Sequence, residues 1–127
     1  MSSSDPRHVL GQRAEDFVHQ ALCAAGWQCW ARNTRALHAE VDWLGLPPAG
    51  DVLVAIEVKA RHELDPGHPG DWLRWRQRRR LARTLEALAL RCNWPGPARL
   101  DLVTVTVVAG QPVAWEHWPD VLDGSGP

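Results

Sequence analysis

The chain has 127 residues, 45% of them hydrophobic and 23% charged, the profile of one globular domain around a single core rather than of a disordered chain. Its net charge is −1, which excludes a global basic field of the kind that carries non-specific nucleic-acid binding, so any affinity for a polyanion must be local. Three cysteines without a CxxC or Cys/His pairing and six scattered histidines argue against a structural zinc or a disulfide framework and fit a reducing cytoplasm, and no apolar run nears the roughly 20 residues that span a bilayer.

Residues 1–6 are a short polar lead without an apolar signal core. Asp5-Pro6 supplies an N-cap followed by proline at the first helical position, and Leu10, Ala14, Phe17, Ala21, Leu22 and Ala25 then recur at helical spacing. This predicts an amphipathic helix over 7–25, closed by Gly26. Extended segments follow at 27–33, 39–46 and 52–60. Pro47-Pro48-Ala49-Gly50-Asp51 separates the last two and predicts a hairpin. Residues 62–70 read as a loop, and 71–91 as a second helix with Leu81, Leu85 and Leu88 on one face, ended by Asn93-Trp94-Pro95-Gly96-Pro97. Strands over 99–108 and 112–118 flank Ala109-Gly110-Gln111, and 119–127 reads as a frayed tail. The order α-β-β-β-α-β-β predicts a single-domain α/β sandwich around a mixed sheet.

The chain contains one lysine, Lys59, against thirteen arginines. Arginine replaces lysine easily where only charge matters, but not where a compact ammonium must fit beside a carboxylate and a reacting oxygen. Chance survival of a surface lysine is the competing explanation. Strand alternation places Leu53, Ala55, Glu57 and Lys59 on one face, with Val54, Ile56 and Val58 on the other. In the preceding strand Glu40 and Asp42 share a face opposite Val41 and Trp43, and the hairpin brings Asp42 beside Glu57. Two or three carboxylates and one ammonium would then meet at a sheet edge. Such oxygen ligands hold hard cations such as Mg²⁺, and the same residues would equally form a cross-strand salt-bridge ladder. Glu15, at the margin of the first helix's apolar face, is either a further acid leaning toward that edge or a plain solvated glutamate.

Several segments together resemble the YraN-like family of small bacterial proteins, which is related to archaeal Holliday-junction resolvases within the PD-(D/E)xK, restriction-endonuclease-like superfamily. They are Gly11-Gln12-Arg13-Ala14-Glu15, Gly26-Trp27, Arg32-Asn33-Thr34-Arg35, Ala39-Glu40-Val41-Asp42-Trp43-Leu44, Glu57-Val58-Lys59-Ala60-Arg61 and Arg99-Leu100-Asp101-Leu102-Val103. The resemblance implies a restriction-endonuclease-like three-layer sandwich and a DNA endonuclease using Mg²⁺ or Mn²⁺. It assigns Asp42, Glu57 and Glu15 to the metal, Lys59 to catalysis beside them, and Glu40 to a supporting place behind the ligands. A homodimer is implied as well, because symmetric cutting of two strands needs two sites, although no dimer motif stands in the sequence. Two departures are visible: Ala39 replaces the family's glycine, and Arg76-Gln77 stands where the family has lysine and glutamine.

Arg74, Arg76, Arg78, Arg79, Arg80 and Arg83 put six guanidinium groups into ten residues. Arg76, Arg79, Arg80 and Arg83 fall opposite the leucine stripe, which would usually mean a solvated face. A solvated face normally mixes signs, and Glu86 is the only acid in the helix after Asp71, so a phosphate-binding surface is the favoured reading, to which the family resemblance adds Gln77. Arg74 and Arg78 lie nearer the apolar side. Trp72 and Trp75 could stack on bases, but packing is the preferred role for the tryptophans, and Trp43 is expected in the core.

Overall fold

The computed structural model describes residues 6–37, 39–62 and 75–122. In chain order these form α1 (Pro6–Ala24), β1 (Gln28–Ala36), β2 (Ala39–Leu46), β3 (Leu53–His62), α2 (Trp75–Arg91), β4 (Ala98–Val108) and β5 (Gln111–Trp118). The sheet runs β1-β2-β3-β4-β5, antiparallel throughout except for the parallel β3–β4 pair, where α2 is the crossover that parallel strands require.

Local chemistry sets the ends of both helices. Gly26 has φ +94, its N–H reaches Cys23 O, and Trp27 N–H reaches Leu22 O. Asn93 repeats the device after α2, with φ +54 and the bonds Asn93 N–H to Leu90 O and Trp94 N–H to Ala89 O. These are paired left-handed caps that satisfy the last carbonyls of each helix. The Pro47 turn closes through Gly50 N–H to Pro47 O at 2.8 Å, as the hairpin reading requires.

The sheet is covered on both sides. Ala14, Val18 and Leu22 of α1 pack with Val54, Ile56, Val103 and Val105. Leu81, Leu85 and Leu88 of α2 pack on the other face with Leu53, Ala55, Leu100 and Leu102. At about 1.5–3 kcal/mol per fully buried aliphatic side chain, these two layers supply most of the driving force for folding. The result is the three-layer α/β sandwich with a mixed central sheet that the element order and the family resemblance predict.

Three expectations change. β1 continues to Ala36, past the predicted end at 33. Val121, inside the segment expected to fray, is fully buried and donates its N–H to Leu100 O at 2.8 Å, because an apolar side chain finds room beside α2. On β2, Val41 and Trp43 do not share a face: Val41 packs on the α2 side and Trp43 on the α1 side. Residues 71–74 of the predicted second helix and 123–127 of the tail lie outside the described residues.

Candidate active site

Backbone pairing between β2 and β3 runs Gly45–Val54, Leu44–Ala55, Trp43–Ile56 and goes no further. At the next step Asp42 Oδ2 accepts the N–H of Val58 at 2.7 Å. A carboxylate therefore stands in for a strand carbonyl where the two strands part. The meeting point is thus the end of a ladder between two inner strands, and not a lateral edge of the sheet as the hairpin alone implied.

Alternation on β3 holds through this region, since Leu53 and Ala55 pack toward α2 while Val54 and Ile56 pack toward α1. Glu57 and Lys59 continue the first of these rows. Lys59 Nζ lies 3.4 Å from Glu57 Oε1, with the lysine side chain 32% exposed and that of the glutamate 11%. The Asp42 and Glu57 carboxyls lie close enough for each to act on the other's ionisation. Two carboxyls this close share a proton more readily than they both ionise. Burial, then the Asp42 charge, pushes Glu57 up to about 8 despite the Lys59 ammonium. Burial also raises Asp42, against the pull of the Val58 N–H, Glu57 and Lys59.

Glu15 approaches from α1. Burial and the Asp42 charge push it up to about 7, opposed by Arg32 and by the Asn33 amide. Its Oε1 is buried without a hydrogen-bond partner. The adjacent acid of α1, Asp16, is held instead by Arg32 Nη2 at 2.7 Å. Glu40 is directed to the surface, where Arg35 lies 3.7 Å away.

The structure thus brings Asp42, Glu57 and Lys59 together and sets Glu15 near Asp42. Among the described residues no three His, Cys, Asp or Glu groups stand close enough to form a metal cage. The donor set is nonetheless of the kind that suits a hard divalent cation, which commonly takes one or two carboxylates and completes its shell with water and phosphate. The crowded Asp42–Glu57 pair and the orphaned Glu15 oxygen are both groups that a nearby positive charge would relieve.

On α2, Arg79, Arg80 and Arg83 are exposed, while Gln77 and Arg78 are half-buried, with Arg78 Nε unpartnered. Arg76 belongs to the helix, its side chain not being among those described, and Arg74 lies outside the described residues. Trp43 is in the core, its Nε1–H donating to His19 Nδ1 at 3.1 Å.

Sequence reasoning missed two further features. The Val58 N–H leaves no trace in side-chain patterns. The Asp101 cluster is the other: this fully buried carboxylate accepts from Arg99 Nε at 2.9 Å and from the Asp120 N–H at 2.9 Å, and pairs with His117 Nε2 at 2.7 Å. An aspartate flanked by leucines in an apolar strand was the available signal for it.

The fold and the site together define an α/β protein with a recessed acid–lysine cluster at the parting of two sheet strands. The chain belongs to UPF0102, described as an uncharacterised protein family, whose model matches residues 14–105; this is the YraN-like family that the ordered motifs resemble. A UPF0102 protein of Herpetosiphon aurantiacus is 32% identical over 114 residues, covering 86% of this chain and 90% of its own. One from Nitratidesulfovibrio vulgaris (strain DP4) is 37% identical over 120 residues, covering 94% and 87%. Among solved structures, a repair endonuclease from Pyrococcus abyssi superposes with a TM-score of 0.43 at 16% identity, over 87% of this chain but 41% of its own length. Pyrococcus furiosus SfsA in complex with Ca²⁺ gives 0.40 at 12% identity, over 87% and 62%. This chain therefore spans less than two thirds of either structure. No helix among the described residues is long and apolar enough to cross a membrane.

Proposed function

We propose that the protein is a metal-dependent endonuclease of the PD-(D/E)xK type that hydrolyses phosphodiester bonds in DNA, with branched and processed DNA as the substrate forms to examine first. The observation that carries this reading is that Asp42, bonded to the Val58 N–H at 2.7 Å, stands beside Glu57 with Lys59 Nζ 3.4 Å from Glu57, at a point where the sheet opens.

In this reading Asp42 and Glu57 hold Mg²⁺ or Mn²⁺ through their oxygens, and Glu15 holds a water on the α1 side. The cation's chemistry is to acidify water and to neutralise charge on a phosphodiester. Lys59, the most exposed of the cluster on β3, orients the attacking water or meets the charge developing on the scissile phosphate. Arg79, Arg80 and Arg83 grip the DNA backbone, and Arg74, Arg76, Gln77 and Arg78 are assigned to the same phosphate contacts. A homodimer would present two such sites to two strands, and a cytoplasmic setting would keep Cys23, Cys29 and Cys92 reduced.

The test is incubation of purified protein with linear, branched and single-stranded DNA, with and without Mn²⁺, alongside Lys59→Ala. Cleavage that needs the metal and disappears in Lys59→Ala supports the proposal. Tight DNA binding with no cleavage in any metal would replace it with a DNA-binding module that keeps the fold without the reaction.

A further inference from the structure

The Arg32-Asn33-Thr34-Arg35 segment has no part in the function as described, yet one of its residues is irregular. Asn33 has φ +49, a left-handed conformation inside β1. Asparagine enters this region more readily than most non-glycine residues.

Its place on the sheet ties this irregularity to the site. Arg32 faces Trp43 and Thr34 faces Val41, so Asn33 stands opposite Asp42. Asp42 is also where β2 loses its alternation, with Val41 packed toward α2 and Trp43 toward α1. The two departures from regular strand geometry share one rung of the ladder. From that rung Asn33 stands near enough to Glu15 on α1 for its amide to favour the charged carboxylate. Its neighbour Arg32 binds Asp16, 2.7 Å away. Two consecutive residues of β1 therefore address two consecutive acids of α1, Arg32 by a 2.7 Å ion pair to Asp16 and Asn33 by a neutral amide on the Glu15 side.

We propose that Asn33 is a positioning residue of the acid cluster: its amide holds Glu15 toward Asp42, and its left-handed backbone fixes the rung from which the Asp42 carboxylate reaches Val58 and Glu57. The assignment rests on the reading of these carboxylates as a metal-holding set.

Asn33→Gly deletes the amide while keeping a residue that adopts φ +49 without strain. Two readouts separate the claims. One is the side-chain carboxyl ¹³C resonance of Glu15 in metal-free protein, and the other is Mn²⁺ affinity by calorimetry. The resonance should shift in Asn33→Gly with the thermal melt retained, and Mn²⁺ affinity should fall on the order of tenfold, as for loss of a group that orients a metal ligand. Asn33→Ala, which loses the backbone freedom as well, should also move the Val58 amide resonance. If the parent binds no Mn²⁺ while the Glu15 resonance still moves, the metal reading fails and the positioning stands. An unmoved Glu15 resonance, or unchanged affinity in a parent that does bind Mn²⁺, overturns the assignment.

Discussion

The Val58 N–H donates to Asp42 Oδ2 at 2.7 Å, so a side chain of β2 completes a hydrogen bond that its backbone leaves open. Structure and chemistry meet in this one contact. It secures β3 at the residue between Glu57 and Lys59, and it fixes an Asp42 oxygen against Glu57. Asp42→Ala strands a partly buried N–H and should cost about 1–3 kcal/mol in denaturant unfolding. Asp42→Asn keeps an acceptor and removes the like charge beside Glu57, so it should be clearly less destabilising. Both variants should lose cleavage. Equal destabilisation by the two would show that the hydrogen bond does not matter.

Glu57, raised from 4.5 to about 8, makes stability depend on pH in a definite direction. Between those values the folded chain holds a proton that the unfolded chain has released, so stability is greatest below pH 4.5 on this account and declines as pH rises toward 8. Glu15, raised to about 7, acts in the same sense over a narrower window. Denaturant melts from pH 5 to 8.5 should show this decline in the parent, with a flatter profile in Glu57→Gln. A parent profile that rises across this range would contradict the crowding of the carboxylates.

Metal binding should run the other way with pH. A cation displaces the protons that the cluster retains, so Mn²⁺ affinity should increase between about pH 6 and 8, with proton release. Calorimetry in buffers of different ionisation enthalpy measures that release directly. Binding that is independent of pH would place the ion elsewhere.

Asp101 lies on β4 beside Ile56 of β3, one rung from Glu57, and its bonds go to Arg99, His117 and the Asp120 N–H. Burial alone would raise its carboxyl, but bonds from His117, Arg99 and the Asp120 N–H outweigh burial and hold it below its ordinary value. Its contribution is therefore present above the unfolded value and is lost as pH falls through the folded one. Asp101→Ala should destabilise by about 3–5 kcal/mol, the usual result of removing one partner from a buried ion pair. Mn²⁺ affinity in the folded fraction should not change. A parallel loss of affinity would mean that the two clusters are coupled.

Arg80 and Arg83, exposed on α2, should act through charge. Arg80→Ala or Arg83→Ala should leave stability within about 0.5 kcal/mol. Each should weaken binding to DNA of any sequence and reduce the slope of log affinity against log salt by about 0.9. An unchanged slope would return these residues to the role of a solvated helix face.

The part of the site most legible in the sequence was β3, because its side chains keep a period of two from Leu53 to Lys59 and both faces are covered. The helix ends were legible for a similar reason: Gly26 and Asn93 are residue types that accept a left-handed cap. On β2, Val41 and Trp43 pack on opposite faces, a break in the period of two that no hydrophobic pattern records because both residues are apolar and buried. The docking of Val121 was missed because Pro119, Asp120 and Gly124 gave that end the composition of a tail.

The most direct measurement is the initial rate of phosphodiester cleavage on a branched DNA, read side by side for the parent, Lys59→Ala and Asp42→Asn at pH 8, in Mn²⁺ and in chelator. The account predicts cleavage by the parent in Mn²⁺ alone and background rates in both variants. Equal rates in parent and variants, or no cleavage by a folded parent that binds both Mn²⁺ and the DNA, would contradict it.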